Sequence, residues 1–512
     1  MRPADLFYEF PGFAAGAIPV DLLGLTDDSR RVGPGFVFVA VRGVNLDGHQ
    51  FMAAAAGAGA AALVGEDPDP DLGLPYVRVP DSRRALGRLA AAWHGHPARK
   101  LVMVGVTGTE GKTTTATLIH SILRAAGHSV GLITTVQAAL GERIEDTGLH
   151  VTTPDAMDLQ AYLAEMVRAG LSHAVVEATS HGLAQGRLEG CDFDVAVITH
   201  IEREHLDFHG TVEAYQEAKA GLFRSLSETP AKTFAPERTA ILNRDDSSFP
   251  TLEAATSVRV VSYGKSTAAD VRLESVVESA GGTSMVIAGP GEPTSVQVPL
   301  IGEPNARNAT AAYAAGVAAL GVAPQVAAAG IAAVRVVPGR MEPIEMGQPF
   351  GAVVDFAHSP HAVRRALEVG RRLTSGRVIA VFGAVGMRDP DNRVRMAEAS
   401  AELADLTVFT ADDPRTESIA SMLHTMAGAA AGKGAVEGVN FWRIPDRREA
   451  LRFAVGLARP GDLLMALGKG HEQSMALGVE EYPWDDRTAL RAALAEHLGI
   501  PGPEMPFLPQ AV

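Results

Sequence analysis

The stretch Gly105-Val-Thr-Gly-Thr-Glu-Gly-Lys-Thr-Thr-Thr115 constrains this chain more than any other. Ahead of it Leu101 to Val106 is a short apolar run. Behind it Thr113 to Ala126 has helical spacing and stops at Gly127. Strand, glycine loop and helix in that order form a phosphate cradle, because loop N–H groups and the helix N-terminus both point at phosphate oxygens. In such a cradle Lys112 reaches the outer phosphates and Thr113 offers its hydroxyl to Mg²⁺. The loop misses the strict pattern G-x-x-x-x-G-K-[ST], since Val106 stands where its first glycine belongs.

A cradle of this kind needs a parallel sheet around it, and the chain alternates strand and helix patterns accordingly. With 512 residues it exceeds a single core. Three α/β domains are expected: a small one over 1–98, a central P-loop parallel-sheet domain over 99–337, and a Rossmann-like domain over 338–512. Trp93-His-Gly-His-Pro97 and Val336-Val-Pro-Gly-Arg340 supply the breaks. A helix is expected over Met52 to Ala62, another capped by Thr153 and Pro154, and a third opened by Asn305-Ala-Arg-Asn308. The last residues, from Pro501, read as a loose tail.

No apolar run approaches the roughly 18 residues of a membrane helix, and the single cysteine, Cys191, cannot form an internal disulfide. A cytoplasmic protein is expected, working as a monomer. The formal charge of −15 argues against broad nucleic-acid binding. Any anionic substrate must therefore be held by local cations.

Glu177 falls at the end of a predicted strand, the position from which a carboxylate reaches Mg²⁺ in P-loop enzymes. His205 and His209 follow another strand end, where a neutral imidazole coordinates or orients a second metal. Lys219 lies in a predicted helix and by spacing alone reads as solvated. In the last third Arg340, His358, Arg388, Arg415 and Lys469 gather at strand ends, with carboxylates in Asp412-Asp-Pro-Arg415 and Gly468-Lys-Gly-His-Glu472. Cations and carboxylates together suit a zwitterion such as an amino acid.

Gly105 to Thr114, Thr152-Thr-Pro154, Glu177-Ala-Thr-Ser-His-Gly-Leu183, His205-Leu-Asp-Phe-His-Gly210, Tyr215-Gln-Glu-Ala-Lys219, Gly339-Arg-Met-Glu342, Asp355-Phe-Ala-His-Ser-Pro360 and Gly468-Lys-Gly-His-Glu472 together resemble the Mur ligases. The likeness runs in order from Asp28 to about Leu494. It implies an N-terminal domain that grips UDP, a central ATPase domain and a C-terminal domain that delivers an amino acid. The implied reaction is ATP-dependent addition of a diamino acid, diaminopimelate favoured, to UDP-N-acetylmuramoyl-L-alanyl-D-glutamate through an acyl phosphate, in peptidoglycan synthesis.

Carried over by position, Gly108, Thr109, Glu110, Gly111, Lys112, Thr113, Thr114, Asn308, Arg340, Asp355 and His358 match ATP contacts. Thr113 and Glu177 match ligands of a first Mg²⁺ and His205 of a second, with Lys219 at the position carbamylated in the family. Ser29, Thr152, Thr153, Ser180, Gln185 and Arg187 match contacts to UDP-muramoyl dipeptide. Arg388, Asp412, Asp413, Arg415, Gly468 and Glu472 match the amino-acid pocket. The resemblance assigns catalysis to Lys112, Lys219, His205 and Glu177.

This chain departs from the pattern at Glu110, where asparagine is usual, and at His200 and Glu204, which replace asparagine and aspartate. Met387 and Pro390 break the polar pattern around Arg388. Arg415 can pair bidentately with the distal carboxylate of diaminopimelate. Asp413, in place of asparagine, favours instead a side chain bearing only an ammonium, as in lysine or ornithine. A related peptide ligase such as folylpolyglutamate synthase, or a nucleotide-binding regulator that no longer turns over ATP, are the alternatives.

Overall fold

In the computed structural model all residues are described except 11–17, 19, 44–45, 147–152, 280, 290 and 510–512. The described strands form three main sheets. The largest has eleven strands, in the order Thr294–Val298, Gly282–Ala288, Val271–Ser279, Arg259–Gly264, Thr239–Asn243, Val195–Ile198, Val102–Thr107, His173–Glu177, Val130–Ile133, Gln137–Ala139 and Ile144–Asp146. Its middle strands pair in parallel, and each edge is extended by antiparallel pairing. Strand residues alternate between two cores: Val104, Val106 and Val197 pack on one face, Met103, Ala196 and Ile198 on the other. Two covered faces explain why these strands read as unbroken apolar runs.

This order positions the site. The strand Val102–Thr107 lies between Val195–Ile198 and His173–Glu177, so the glycine loop leaves the sheet flanked by Glu177 on one side and Thr199 on the other. Ligands of open α/β sheets sit at such carboxyl ends.

A four-stranded parallel sheet, Gly24–Thr26, Phe36–Val39, Ala62–Gly65 and Tyr76–Arg78, precedes it. A six-stranded sheet follows, in the order Glu342–Pro343, Gly351–Asp355, Leu463–Leu467, Val378–Phe382, Leu406–Phe409 and Phe441–Arg443. All its pairings are parallel except the first. We propose domain boundaries near residues 98 and 337, both of which fall between sheets.

Several elements differ from expectation for local reasons. The helix expected over Met52 to Ala62 ends at Gly57, because Gly59 takes φ 94° to turn the chain into the strand Ala62–Gly65. The helix Ala156–Arg168 is capped by Asp155, whose side chain accepts from the Asp158 N–H. Thr153 instead donates its hydroxyl to the Glu177 carbonyl at 3.1 Å. The helix expected from Asn305 begins at Glu303, with Pro304 in its first turn. The tail is anchored: Leu508 is 4% exposed and joins the C-terminal core.

Candidate active site

A cavity of about 410 Å³ opens at the carboxyl ends of the central strands. The loop Gly108 to Thr114 forms its floor, with Glu177, His205 and Lys219 beside it. Asn308, Arg340, Asp355 and His358 close the opposite wall, and Ser180, Arg187 and Arg388 reach it as well. Ser29, Thr153, Gln185, Asp412, Asp413, Arg415, Gly468 and Glu472 are not in its lining. Ser29 lies in the short helical turn Ser29–Arg31 of the N-terminal sheet region. Gln185 accepts from Arg187 Nη2 at 2.6 Å. Thr152 lies outside the described residues.

The loop is held by close approach. Gly108 has φ 145°, and a Cβ there would meet Thr199 Oγ1 at 1.8 Å. Gly111 has φ 79°, and a Cβ would meet Asn308 Oδ1 at 2.2 Å. Only glycine satisfies both the backbone angle and the space. Lys112 Nζ donates to the Thr109 carbonyl at 2.7 Å, folding the ammonium over the loop. Thr113 Oγ1 donates to Glu177 Oε2 at 2.9 Å, and the same oxygen accepts from Thr135 N and Oγ1, each at 3.1 Å. Glu177 is 2% exposed. A hydroxyl and a carboxylate side by side are the hard oxygen donors that suit Mg²⁺. Among the described residues no three His, Cys, Asp or Glu side chains gather as a metal group; the set on offer is mixed.

Its other members are His205 and Lys219. His205 sits in the left-handed region at φ 54°, a strain of roughly 1–3 kcal/mol that concentrates at functional sites. Its ring packs edge-on to His181 with centroids 4.7 Å apart. Burial, then the neighbouring His181 and Lys112, push its pKa down to about 2, so the imidazole is neutral. Lys219 is 1% exposed, donates to the Gly108 carbonyl at 2.6 Å and lies 4.5 Å from the Tyr215 ring centroid. It forms an ion pair with none of the described carboxylates. Burial and the charge of Lys112 hold its pKa well below the usual lysine value. Sequence spacing placed this lysine on a solvated face; the structure buries it under the phosphate loop.

The C-terminal wall is built around Arg340, whose guanidinium lies 4.6 Å from the Phe356 ring centroid and donates to Thr113 Oγ1 at 3.4 Å. Asp355 accepts from Met341 N at 2.7 Å and Ala357 N at 2.9 Å, while burial raises its pKa against the pull of Arg340. The His358 ring nitrogen Nδ1 lies 2.8 Å from the Phe356 carbonyl.

The residues expected in the amino-acid pocket divide. Arg388 lines the phosphate cavity, whereas Asp412, Asp413, Gly468 and Glu472 cluster behind it. Asp413 Oδ1 accepts from Ala476 N at 2.8 Å and Oδ2 from Lys469 Nζ at 2.9 Å. Lys469 also donates to Glu472 Oε2 at 2.6 Å and is 0% exposed. Lys469 is therefore an internal counter-ion rather than an anion-binding cation. Asp413 thus has an internal partner on each oxygen. Asp412 Oδ2 is buried without a hydrogen-bond partner, and burial pushes this carboxyl up to about 6 despite Lys469 and Arg447. A Cβ on Gly468 would meet that oxygen at 2.0 Å.

Sequence reasoning missed the buried pair that shapes this region. Arg447 donates to both Asp486 oxygens at 2.7 and 2.6 Å, and to the carbonyls of Ala411 and Leu467 at 2.9 and 2.8 Å. Those carbonyls directly precede Asp412 and Gly468. No local signal marks the pair, because each residue opens a helix as an ordinary first-turn charge. His361 and Arg365, at the loop's outer edge, were missed as well, because nothing local to the helix Pro360–Leu373 shows which domain its charged stripe faces.

A glycine phosphate loop at a sheet switch point, a Thr–Glu oxygen pair beside it and a facing cationic wall define an ATP-using P-loop enzyme. Family models identify which. Residues 22–94 match the Mur ligase family catalytic domain, 106–316 the Mur ligase middle domain, and 339–470 the Mur ligase glutamate ligase domain. The chain is 43% identical over 490 residues to UDP-N-acetylmuramyl-tripeptide synthetase of Roseiflexus sp. (strain RS-1), covering 94% of this chain and 96% of that one. It is 39% identical to UDP-N-acetylmuramoyl-L-alanyl-D-glutamate–2,6-diaminopimelate ligase of Geobacillus thermodenitrificans, covering 97% and 100%. A solved structure of a ligase with that second name matches with TM-score 0.64 and 30% identity over 93% of this chain and 95% of that one. The chain belongs to the Mur ligase family and is an ATP-dependent ligase.

Proposed function

We propose that this enzyme joins a diamino acid, diaminopimelate in preference to lysine or ornithine, to UDP-N-acetylmuramoyl-L-alanyl-D-glutamate, with ATP converted to ADP and phosphate. The observation that carries the choice is the Asp413–Lys469 pair. Lys469, shared between Asp413 and Glu472, offsets part of the charge that argued for a side chain bearing only an ammonium, and Arg415 is a cation able to meet a distal carboxylate. Near full-length similarity to relatives named for the muramoyl substrates supports the rest.

A carboxylate is a poor electrophile until it carries a leaving group. The γ-phosphoryl group moves to the glutamate side-chain carboxylate, forming a new P–O bond as the bond to the β-phosphate oxygen breaks. The amine nitrogen then attacks the acyl carbon, phosphate departs with the electron pair, and the amine proton is lost. Two anions must meet in the first step, so the helix N-terminus at Lys112 and its ammonium hold the phosphates against repulsion. Arg340 and His358 line the wall facing them. Mg²⁺, held by Thr113 and Glu177 with a second ion at His205, would supply further charge neutralisation. Burial lowers the Lys219 pKa and so favours the uncharged amine, the form that adds carbon dioxide to give a carbamate. That modification would turn a repelling cation into an anionic oxygen ligand beside His205.

Ser29, Thr152, Thr153, Ser180, Gln185 and Arg187 are proposed to hold the UDP-muramoyl dipeptide, and Arg388, Asp412, Asp413, Arg415, Gly468 and Glu472 to frame the incoming amino acid. Among the described residues no helix is long and apolar enough to cross a membrane, which supports a cytoplasmic enzyme. Phosphate release from ATP and UDP-muramoyl dipeptide, compared across diaminopimelate, lysine and ornithine, tests the assignment. Release fastest with diaminopimelate is expected. Background release with all three ends the proposal, and faster release with lysine reverses the choice of amino acid.

A further inference from the structure

Glu110 places a carboxylate inside a loop built to receive phosphates, which by itself opposes their binding. Its surroundings resolve the conflict from the other domain. Glu110 Oε2 accepts from Arg365 Nη1 at 2.7 Å, and Arg365 Nη2 donates to Glu202 Oε1 at 3.1 Å. His361 Nδ1 lies 2.8 Å from Glu202 Oε2 and 4.0 Å from Glu110 Oε1. Arg365 and His361 belong to the helix Pro360–Leu373 of the C-terminal region, Glu110 and Glu202 to the central one. The same helix makes a further cross-contact, Arg372 Nε to Glu278 Oε2 at 2.9 Å.

His361, Arg365 and Arg372 fall on one stripe of that helix, while Val363 and Leu367 pack into its own core. The stripe is therefore aimed at the central region's acids. Burial raises the Glu110 carboxyl, but His361 and Arg365 outweigh it and hold the pKa down at about 2. Away from that helix an exposed glutamate with its ordinary pKa of about 4.3 is still ionised at neutral pH, so what changes with domain position is whether the charge is cancelled.

We infer that Glu110 makes nucleotide binding at the loop conditional on docking of the helix Pro360–Leu373, whose Arg365 neutralises it. With the helix undocked, an uncompensated carboxylate lowers phosphate affinity. With it docked, the loop recovers the charge balance of a neutral residue. Linkage then requires the converse: bound nucleotide favours docking by the same factor. Glu110 and Arg365 are positioning residues in this scheme, coupling ATP capture to arrival of the domain that brings the amino acid. The inference rests on the loop being the phosphate site.

The test is a double-mutant cycle on nucleotide affinity, read by calorimetry with Mg²⁺ and a non-hydrolysable ATP analogue. Arg365→Gln should weaken binding at least about fivefold, the lower end of ordinary coupling between sites. In the Glu110→Gln background the same substitution should change affinity less than about twofold, the usual error of additivity. Small-angle scattering should show the analogue compacting the wild-type chain more than the double variant. Equal weakening in both backgrounds would mean that Arg365 acts on the phosphates directly, and no weakening in either would mean that it does not act at all; each overturns the inference. A wild-type chain that fails to bind the analogue overturns the phosphate site itself.

Discussion

Lys219 and Lys469 are equally buried, and their pKa values are displaced in opposite directions. Lys219, at the phosphate end, has a carbonyl and an aromatic ring for neighbours and the ammonium of Lys112 nearby. Its pKa falls well below the ordinary lysine value. Lys469, at the amino-acid end, touches two carboxylates. Burial lowers its pKa, but Glu472 and Asp413 more than reverse that, and it stays charged. Burial alone therefore decides neither state. A desolvated ammonium is held charged where carboxylates touch it, as at Lys469, whereas at Lys219 burial and Lys112 outweigh the pull of Glu204 and Glu177. The first arrangement favours the free amine; the second makes a fixed structural ion.

The largest effect expected from this contrast is on stability. Lys469→Met should cost about 3–5 kcal/mol, because it strands the buried carboxylate of Asp413 and unpairs the half-buried Glu472, whereas Lys219→Met should leave the unfolding free energy nearly unchanged. Chemical denaturation of both variants checks the pair, and similar losses in the two would break the comparison. Next, Lys219→Ala should lower turnover by roughly 10²–10³, the scale for removing a charge-stabilising group, with partial rescue by short carboxylates. Phosphate-release kinetics report it; unchanged turnover removes the carbamate from the mechanism.

A third prediction concerns pH. Contacts with Glu110 and Glu202 raise His361 to about 9, above its ordinary value, against burial and the facing Arg365. A raised histidine contributes fully below its unfolded value near 6.5 and loses that contribution as pH rises through about 9. Domain docking should loosen above that pH, seen by scattering, and His361→Gln should lack the transition. A variant that keeps it sinks the assignment. The smallest effect is expected of Asp413→Asn: Lys469 keeps Glu472, so the ratio of kcat/KM for diaminopimelate to lysine should shift less than about threefold, well under the penalty for unpairing a recognition group. A larger shift would show Asp413 reading the substrate after all.

Local sequence determined the phosphate loop, because its chemistry is contiguous: glycines at φ angles closed to other residues, a lysine and a threonine at the helix start, and apolar runs long enough for a covered sheet. It also determined the α/β class, since strand and helix periods are properties of short windows. What it could not decide was which charges survive. Lys219 read as solvated because a helix carries no mark of what packs over it. Lys469 read as an anion-binding cation because Asp413, its counter-ion, is distant in the chain. Glu110 read only as a departure from the family pattern because Arg365, its partner, comes from the other domain. Protonation and pairing depend on desolvation and on neighbours within a few ångströms, and only the tertiary fold brings those neighbours together.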